Sequence, residues 1–120
     1  MKVKTSELTN AALDWAIGTA DGGLYQPASA RGVFWIWPGE PVKYSKAPPA
    51  YSTDWAQGGP IIERERISAE WSSLWNCWTA RDLRNAAFSF TGPTPLIAAM
   101  RCYVACKLGD EVAVPDELLS

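Results

Sequence analysis

The stretch Gly92-Pro-Thr-Pro-Leu-Ile-Ala-Ala-Met-Arg-Cys-Tyr-Val-Ala-Cys-Lys-Leu-Gly109 carries the strongest local structural signals in the chain. Thr94 is a residue type that caps helix starts, Pro95 suits the first helical position, and Gly109 suits the residue just past a helix end. Between them, Leu96, Ile97, Met100, Tyr103, Val104 and Leu108 form one apolar stripe. Ala98, Ala99, Cys102, Ala105 and Cys106 make the other side small and weakly polar, and only Arg101 and Lys107 bring charge. A helix that is apolar nearly all round is covered on both sides. One side should pack on a sheet. The other should meet the first helix of this chain, or the same helix of a second copy in a homodimer, because small residues let helices approach closely.

Working outward, residues 74–80 (Leu-Trp-Asn-Cys-Trp-Thr-Ala) and 86–90 read as the two strands of a hairpin around the polar residues 81–85. The island Val33-Phe-Trp-Ile-Trp37 is β-branched and aromatic and lies between Gly32 and Pro38, as a strand does. At the N-terminus, Met1, Val3 and Thr5 alternate with Lys2 and Lys4, which suits a short strand. Leu8, Ala12, Trp15 and Ala16 then share one helical face, with Thr9 or Asn10 as the cap and Asp21-Gly22-Gly23 as the stop. Pro60 at a first helical position predicts a short helix over 61–67, with a strand as the rival reading. The sum is an α+β domain: a small antiparallel sheet of three to four strands with two main helices on one face. The 120 residues suffice for one domain, with a long Gly/Pro-rich loop about 38–60 and a short acidic tail 110–120.

Composition narrows the chemistry. Eleven basic and thirteen acidic residues give a net charge of −2, without the basic footprint of a general nucleic-acid binder. Histidine is absent, which removes the commonest general base, the usual metal ligand and every Ser-His or Cys-His nucleophile pair. Cys77, Cys102 and Cys106 lack the spacing of a zinc site and do not make an even disulfide framework, so they read as reduced thiols. No cofactor and no metal site is expected. The N-terminus lacks the apolar stretch of a signal peptide, and no apolar run approaches the roughly 20 residues that span a bilayer.

The recognition chemistry concentrates in Tyr51-Ser-Thr-Asp-Trp-Ala-Gln-Gly-Gly-Pro60. Trp55 offers a flat apolar face for stacking. Asp54, Gln57, Ser52, Thr53 and Tyr51 offer directional hydrogen bonds. Gly58 and Gly59 let a backbone approach a ligand closely. Arg64 and Arg101 are the natural clamps for a phosphate or carboxylate, and Thr94 at a helix start could add an anion cradle. Each has a structural alternative: a capped turn for Asp54, a core plug for Trp55, helix capping for Thr94, and surface ion pairing for at least one arginine.

Three blocks of the chain resemble a known family. They are Met1-Lys-Val-Lys-Thr-Ser-Glu-Leu-Thr9 with Ala12-Leu-Asp-Trp15; Ser52-Thr-Asp-Trp-Ala-Gln-Gly-Gly-Pro-Ile-Ile-Glu-Arg64; and Gly92-Pro-Thr-Pro-Leu-Ile-Ala-Ala-Met-Arg-Cys-Tyr-Val104 with Lys107-Leu-Gly-Asp-Glu-Val112. In this order they are similar to the phage NinX family of small proteins encoded by tailed bacteriophages and prophages. The resemblance implies a phage protein acting in the cytoplasm of an infected bacterial host. It transfers no activity to any residue.

The expectation is a non-enzymatic accessory protein that acts by binding. Its ligand would be small and anionic or nucleotide-like, such as a host defence signal, which makes an anti-defence role the concrete version. The alternative is an inhibitor or adaptor of a host protein, cued by seven tryptophans and by the Trp35-Ile-Trp37 island. Nucleic acid is the less favoured partner on charge, and no membrane partner is expected.

Overall fold

The computed structural model describes residues 1–29, 32–37, 43–45, 49–82 and 85–118. The architecture is α+β, built around one helix. That helix, α3 (Pro95–Leu108), starts and stops where its sequence dictates. The Thr94 Oγ1 accepts the Ile97 N–H at 3.1 Å, Pro95 opens the helix, and Gly109 ends it with φ of 92°. Leu96, Ala98, Ala99, Met100, Arg101, Cys102, Tyr103, Val104 and Ala105 are all buried. Burying side chains the size of Met100 and Val104 contributes about 1.5–3 kcal/mol each.

Both sides of α3 are covered from within the chain. One side rests on an antiparallel sheet of β5 (Ile67–Ser72), β6 (Cys77–Asp82) and β7 (Asn85–Gly92). The other meets α1 (Asn10–Ala20) and α2 (Trp55–Glu65). The small-residue side is the one that faces the sheet, with Cys106 Sγ donating to Asp82 of β6 at 3.4 Å, whereas Leu96 and Tyr103 of the apolar stripe face α2 and the end of α1.

Two smaller antiparallel sheets complete the fold. β1 (Lys2–Lys4) pairs with β8 (Glu111–Ala113), with Val3 opposite Val112. β2 (Leu24–Ser29), β3 (Gly32–Trp37) and β4 (Lys43–Ser45) form the other, β3 in the middle, and β2 packs on α1. Among the described residues, the expected sheet of three to four strands is three separate small antiparallel sheets, and the two main helices are joined by a third. The stretch 38–60 contains β4 and the beginning of α2, and the acidic tail contains β8 and a 3-10 turn at Asp116–Leu118.

The middle of the chain departs furthest from expectation. α2 does not begin after Pro60; it begins at Trp55 and carries Gly58, Gly59 and Pro60 inside it. Asp54 explains the start, because its Oδ1 accepts the Ala56 N–H at 3.0 Å and satisfies a first-turn donor. The helix stops at Arg66, in left-handed conformation with φ of 56°. Ile67 then opens β5, a strand that the sequence reading lacked. The first strand of the expected hairpin begins at Cys77, because Leu74 lies in the turn that joins β5 to β6.

Candidate ligand cavity

The first turns of α1 place Asn10, Ala11, Asp14 and Trp15 at the cavity, as the i,i+3 and i,i+4 spacings 10/14, 11/14 and 11/15 allow. The β2–β3 hairpin sets Tyr25 opposite Trp35. The Trp35 indole can lie on α1 because residue 18 is glycine: a Cβ there would come within 2.8 Å of the ring. Tyr25 tilts against Trp35 at 49° with centroids 5.5 Å apart, and Trp37 stacks behind it at 5.7 Å and 13°. A third wall comes from Pro49, Ala50 and Thr53, and Leu118 of the C-terminal 3-10 turn supplies the last. Together these residues line a half-open cavity of about 520 Å³. That is the size of pockets that take drug-sized molecules.

The third wall is pinned to the first. The Ser52 backbone N–H donates to Asp14 Oδ1 at 2.8 Å across 38 residues of sequence. Burial raises the Asp14 carboxyl above its ordinary value, and the bond from the Ser52 N–H pulls it part of the way back. Asp14 is the only formally charged side chain among the described lining residues. The rest of the lining is aromatic and apolar, with the Asn10 amide and the Thr53 hydroxyl as polar additions.

Of the residues the sequence reading named for ligand binding, Thr53 alone lines this cavity. Tyr51 packs half-buried against the core, and burial raises its phenol. Ser52 is buried and holds Asp14. Asp54 caps α2 and receives the Gln57 amide at 3.1 Å, while Gln57 Oε1 takes the Ala50 N–H at 2.9 Å. These two side chains therefore fasten the turn to the helix it starts. Trp55 is 55% exposed and outside the cavity lining. Gly58 is buried because a Cβ there would collide with the Tyr51 carbonyl, whereas one at Gly59 would meet nothing nearer than 3.9 Å.

The expected anion clamps are engaged elsewhere. Arg101 is buried, and burial lowers the pKa of its guanidinium. Its Nε donates to the Leu8 carbonyl at 2.9 Å and its Nη1 to the Thr91 carbonyl at 2.8 Å. It ties the N-terminal segment to β7. Arg64 lies 5.6 Å from the Tyr103 ring centre and donates to Asp21 at 2.8 Å, to Glu65 at 2.9 Å and to the Tyr103 hydroxyl at 3.1 Å. Thr94 caps α3.

Asn10, Asp14, Trp15, Tyr25 and Trp35 were missed as a group. The available signals were a carboxylate directly before an indole at Asp14-Trp15 and a tryptophan-rich strand. Trp15 reads as core by helical periodicity alone. The Trp35-Ile-Trp37 island does not present its tryptophans outward: Trp35 is only 3% exposed. The exposed large apolar residues cluster instead at the β5–β6 turn, as Trp71, Leu74 and Trp75.

Fold and cavity together define a small α+β protein with an aromatic-walled pocket between its first helix and a three-stranded sheet. The model of the family described as Bacteriophage P22, NinX matches residues 4–107, so the chain belongs to that phage family. No curated protein matches the chain. No helix among the described residues is long and apolar enough to cross a membrane.

Proposed function

We propose that this phage protein acts by binding rather than by catalysis, and that the cavity between α1, β2–β3 and residues 49–53 holds a small flat ligand in the cytoplasm of the infected host. The observation that supports this most directly is the lining: three aromatic side chains, Trp15, Tyr25 and Trp35, around a space of about 520 Å³. Rings in such a wall favour a planar π-system by offset stacking or edge contact. The lack of any histidine favours binding over acid–base or nucleophilic turnover. A nucleotide-derived host defence signal is one source of such a ligand. Its base would enter the cavity, and any phosphate would lie outside it, because the described lining carries a carboxylate and no base.

Ala11 gives the test. It is exposed on α1 yet lines the cavity, so a larger side chain there fills the space without disturbing the core. Titration calorimetry and tryptophan fluorescence against a panel of nucleosides and nucleotides should show binding to the native chain. Ala11→Phe should weaken it at least about tenfold, the scale of losing roughly 1.4 kcal/mol, with an unchanged melting temperature. Binding that survives Ala11→Phe undiminished would place the ligand elsewhere.

A second reading is a host-protein adaptor or inhibitor, and one observation favours it. Trp71 at 50%, Leu74 at 84% and Trp75 at 72% exposure crowd one turn. Exposed aromatic side chains are typical anchors of protein interfaces. Affinity capture from bacterial lysate should then yield a stoichiometric protein that is lost with Leu74→Ser and Trp75→Ser together. Equal capture by both forms would remove this reading.

A further inference from the structure

The cavity has an electrostatic character that its aromatic walls do not by themselves specify. Asp14 lines it, and no lysine or arginine does among the described residues. The carboxylate accepts one bond, from the Ser52 backbone N–H at 2.8 Å. An ionised carboxylate accepts at about four lone-pair positions, so capacity remains for a donor from the cavity side. An anionic group brought beside Asp14 would be repelled in a half-open, largely apolar cavity. A planar group that donates N–H would gain a charge-assisted hydrogen bond, and any positive character would also be drawn to the ring faces.

We propose that the ligand enters as an amino-substituted heteroaromatic ring, of the kind found in adenine, guanine or cytosine, and donates its N–H to Asp14 while the ring rests among Trp15, Tyr25 and Trp35. This rests on the cavity being the binding site and adds which chemical edge faces inward. Asp14 is then the specificity residue, and the aromatic side chains supply most of the contact area. A consequence follows for coupling. The same carboxylate holds the Ser52 N–H, and Ser52 lies two residues before Asp54, the cap of α2. A ligand on Asp14 therefore bears on the turn that starts α2.

The experiment is calorimetry with four neutral probes, adenosine, guanosine, cytidine and purine riboside, against the native chain and Asp14→Asn. Purine riboside keeps a flat ring and lacks both the amine and any ring N–H donor. At least one amine-bearing nucleoside should bind the native chain tenfold or more tighter than purine riboside. Asp14→Asn should abolish that preference. Asparagine keeps an oxygen for the Ser52 N–H, and the native chain's own ranking of the four probes decides the matter even if the variant folds poorly. Equal binding of purine riboside and the amine-bearing probes, or a preference that persists in Asp14→Asn, would overturn the assignment to Asp14 and leave the cavity reading standing. Silence from all four probes at millimolar concentration would overturn the cavity reading and this one with it.

Discussion

At the scale of single residues, polar groups inside this protein are mostly committed to holding segments together. Arg101 shows it best. A buried guanidinium is costly unless its donors are met. Here two carbonyls from distant segments meet them, at Leu8 and Thr91. Tyr103 does similar work two residues further along α3, where its hydroxyl donates to Asp21 at 2.7 Å. The acids buried on this helix set a pH limit. Burial, with Cys106 and Asp82 nearby, pushes the Cys102 thiol up to about 12 from 9.0. Burial and the bond to Asp21 raise the Tyr103 phenol as well. An acid whose pKa is higher in the folded state holds its proton more tightly there, so the stability it contributes is complete below the unfolded pKa. That contribution drains away as pH rises through the folded value. Urea denaturation at fixed temperature should therefore give a midpoint that falls steadily from about pH 9 towards pH 12. Cys102→Ala should make the fall shallower. A midpoint that stays flat over that range would contradict the assignment.

At the scale of elements, α2 is the instructive case. Glycine pairs and proline mark loops in most sequences, yet Gly58, Gly59 and Pro60 all lie inside this helix. The Asp54 cap and the packing of Ile61 into the core outweigh the poor propensities. The two glycines have different reasons to be there. A Cβ at position 58 would meet the Tyr51 carbonyl and come within 2.7 Å of Leu96 Cδ1, while one at position 59 would make only ordinary contact, 3.9 Å from the Trp55 ring. Gly58→Ala should therefore destabilise the fold by about 1–3 kcal/mol through overpacking. Gly59→Ala should stabilise it by up to about 1 kcal/mol, the helical advantage of alanine over glycine. Thermal melts of the two variants, read side by side, check the contrast. Equal shifts would mean that the close approach of α2 to Tyr51 is wrong. By comparison α3 needed no tertiary help to be recognised, because Thr94, Pro95 and Gly109 mark its ends by local chemistry alone.

At the scale of the whole molecule, the two candidate surfaces belong to different sheets. The cavity leans on β2–β3, and the exposed tryptophan turn belongs to β5–β6. Helix α3 lies between these regions in the packing order, touching α1 and the β5–β7 sheet. The candidate site was scarcely legible beforehand, since it draws on four separate stretches: residues 10–15, the β2–β3 hairpin, residues 49–53 and Leu118. Apart from residues 51–53, none of these stretches looks like a site alone. Asp14 reads as an ordinary polar position on a helix, and Tyr25 falls in a Gly/Pro-rich stretch where the sequence predicts no element. The stretch that did look like a site, from Tyr51 to Gly59, spends most of its polar groups on the turn and cap that begin α2.

The sequence by itself determined the α+β class, the position of α3, the strand at residues 33–37 and the membership in a phage family. Those features rest on periodicity, capping and matched blocks of residues, all of which act over short distances along the chain. Only the tertiary structure decided that Gly-Gly-Pro sits within a helix, that Arg101 is a brace, and that Asp14 joins aromatic residues from another sheet in a cavity. Such outcomes depend on contacts between residues far apart in sequence, such as Asp14 with Ser52, and on steric room that exists only once the elements are packed.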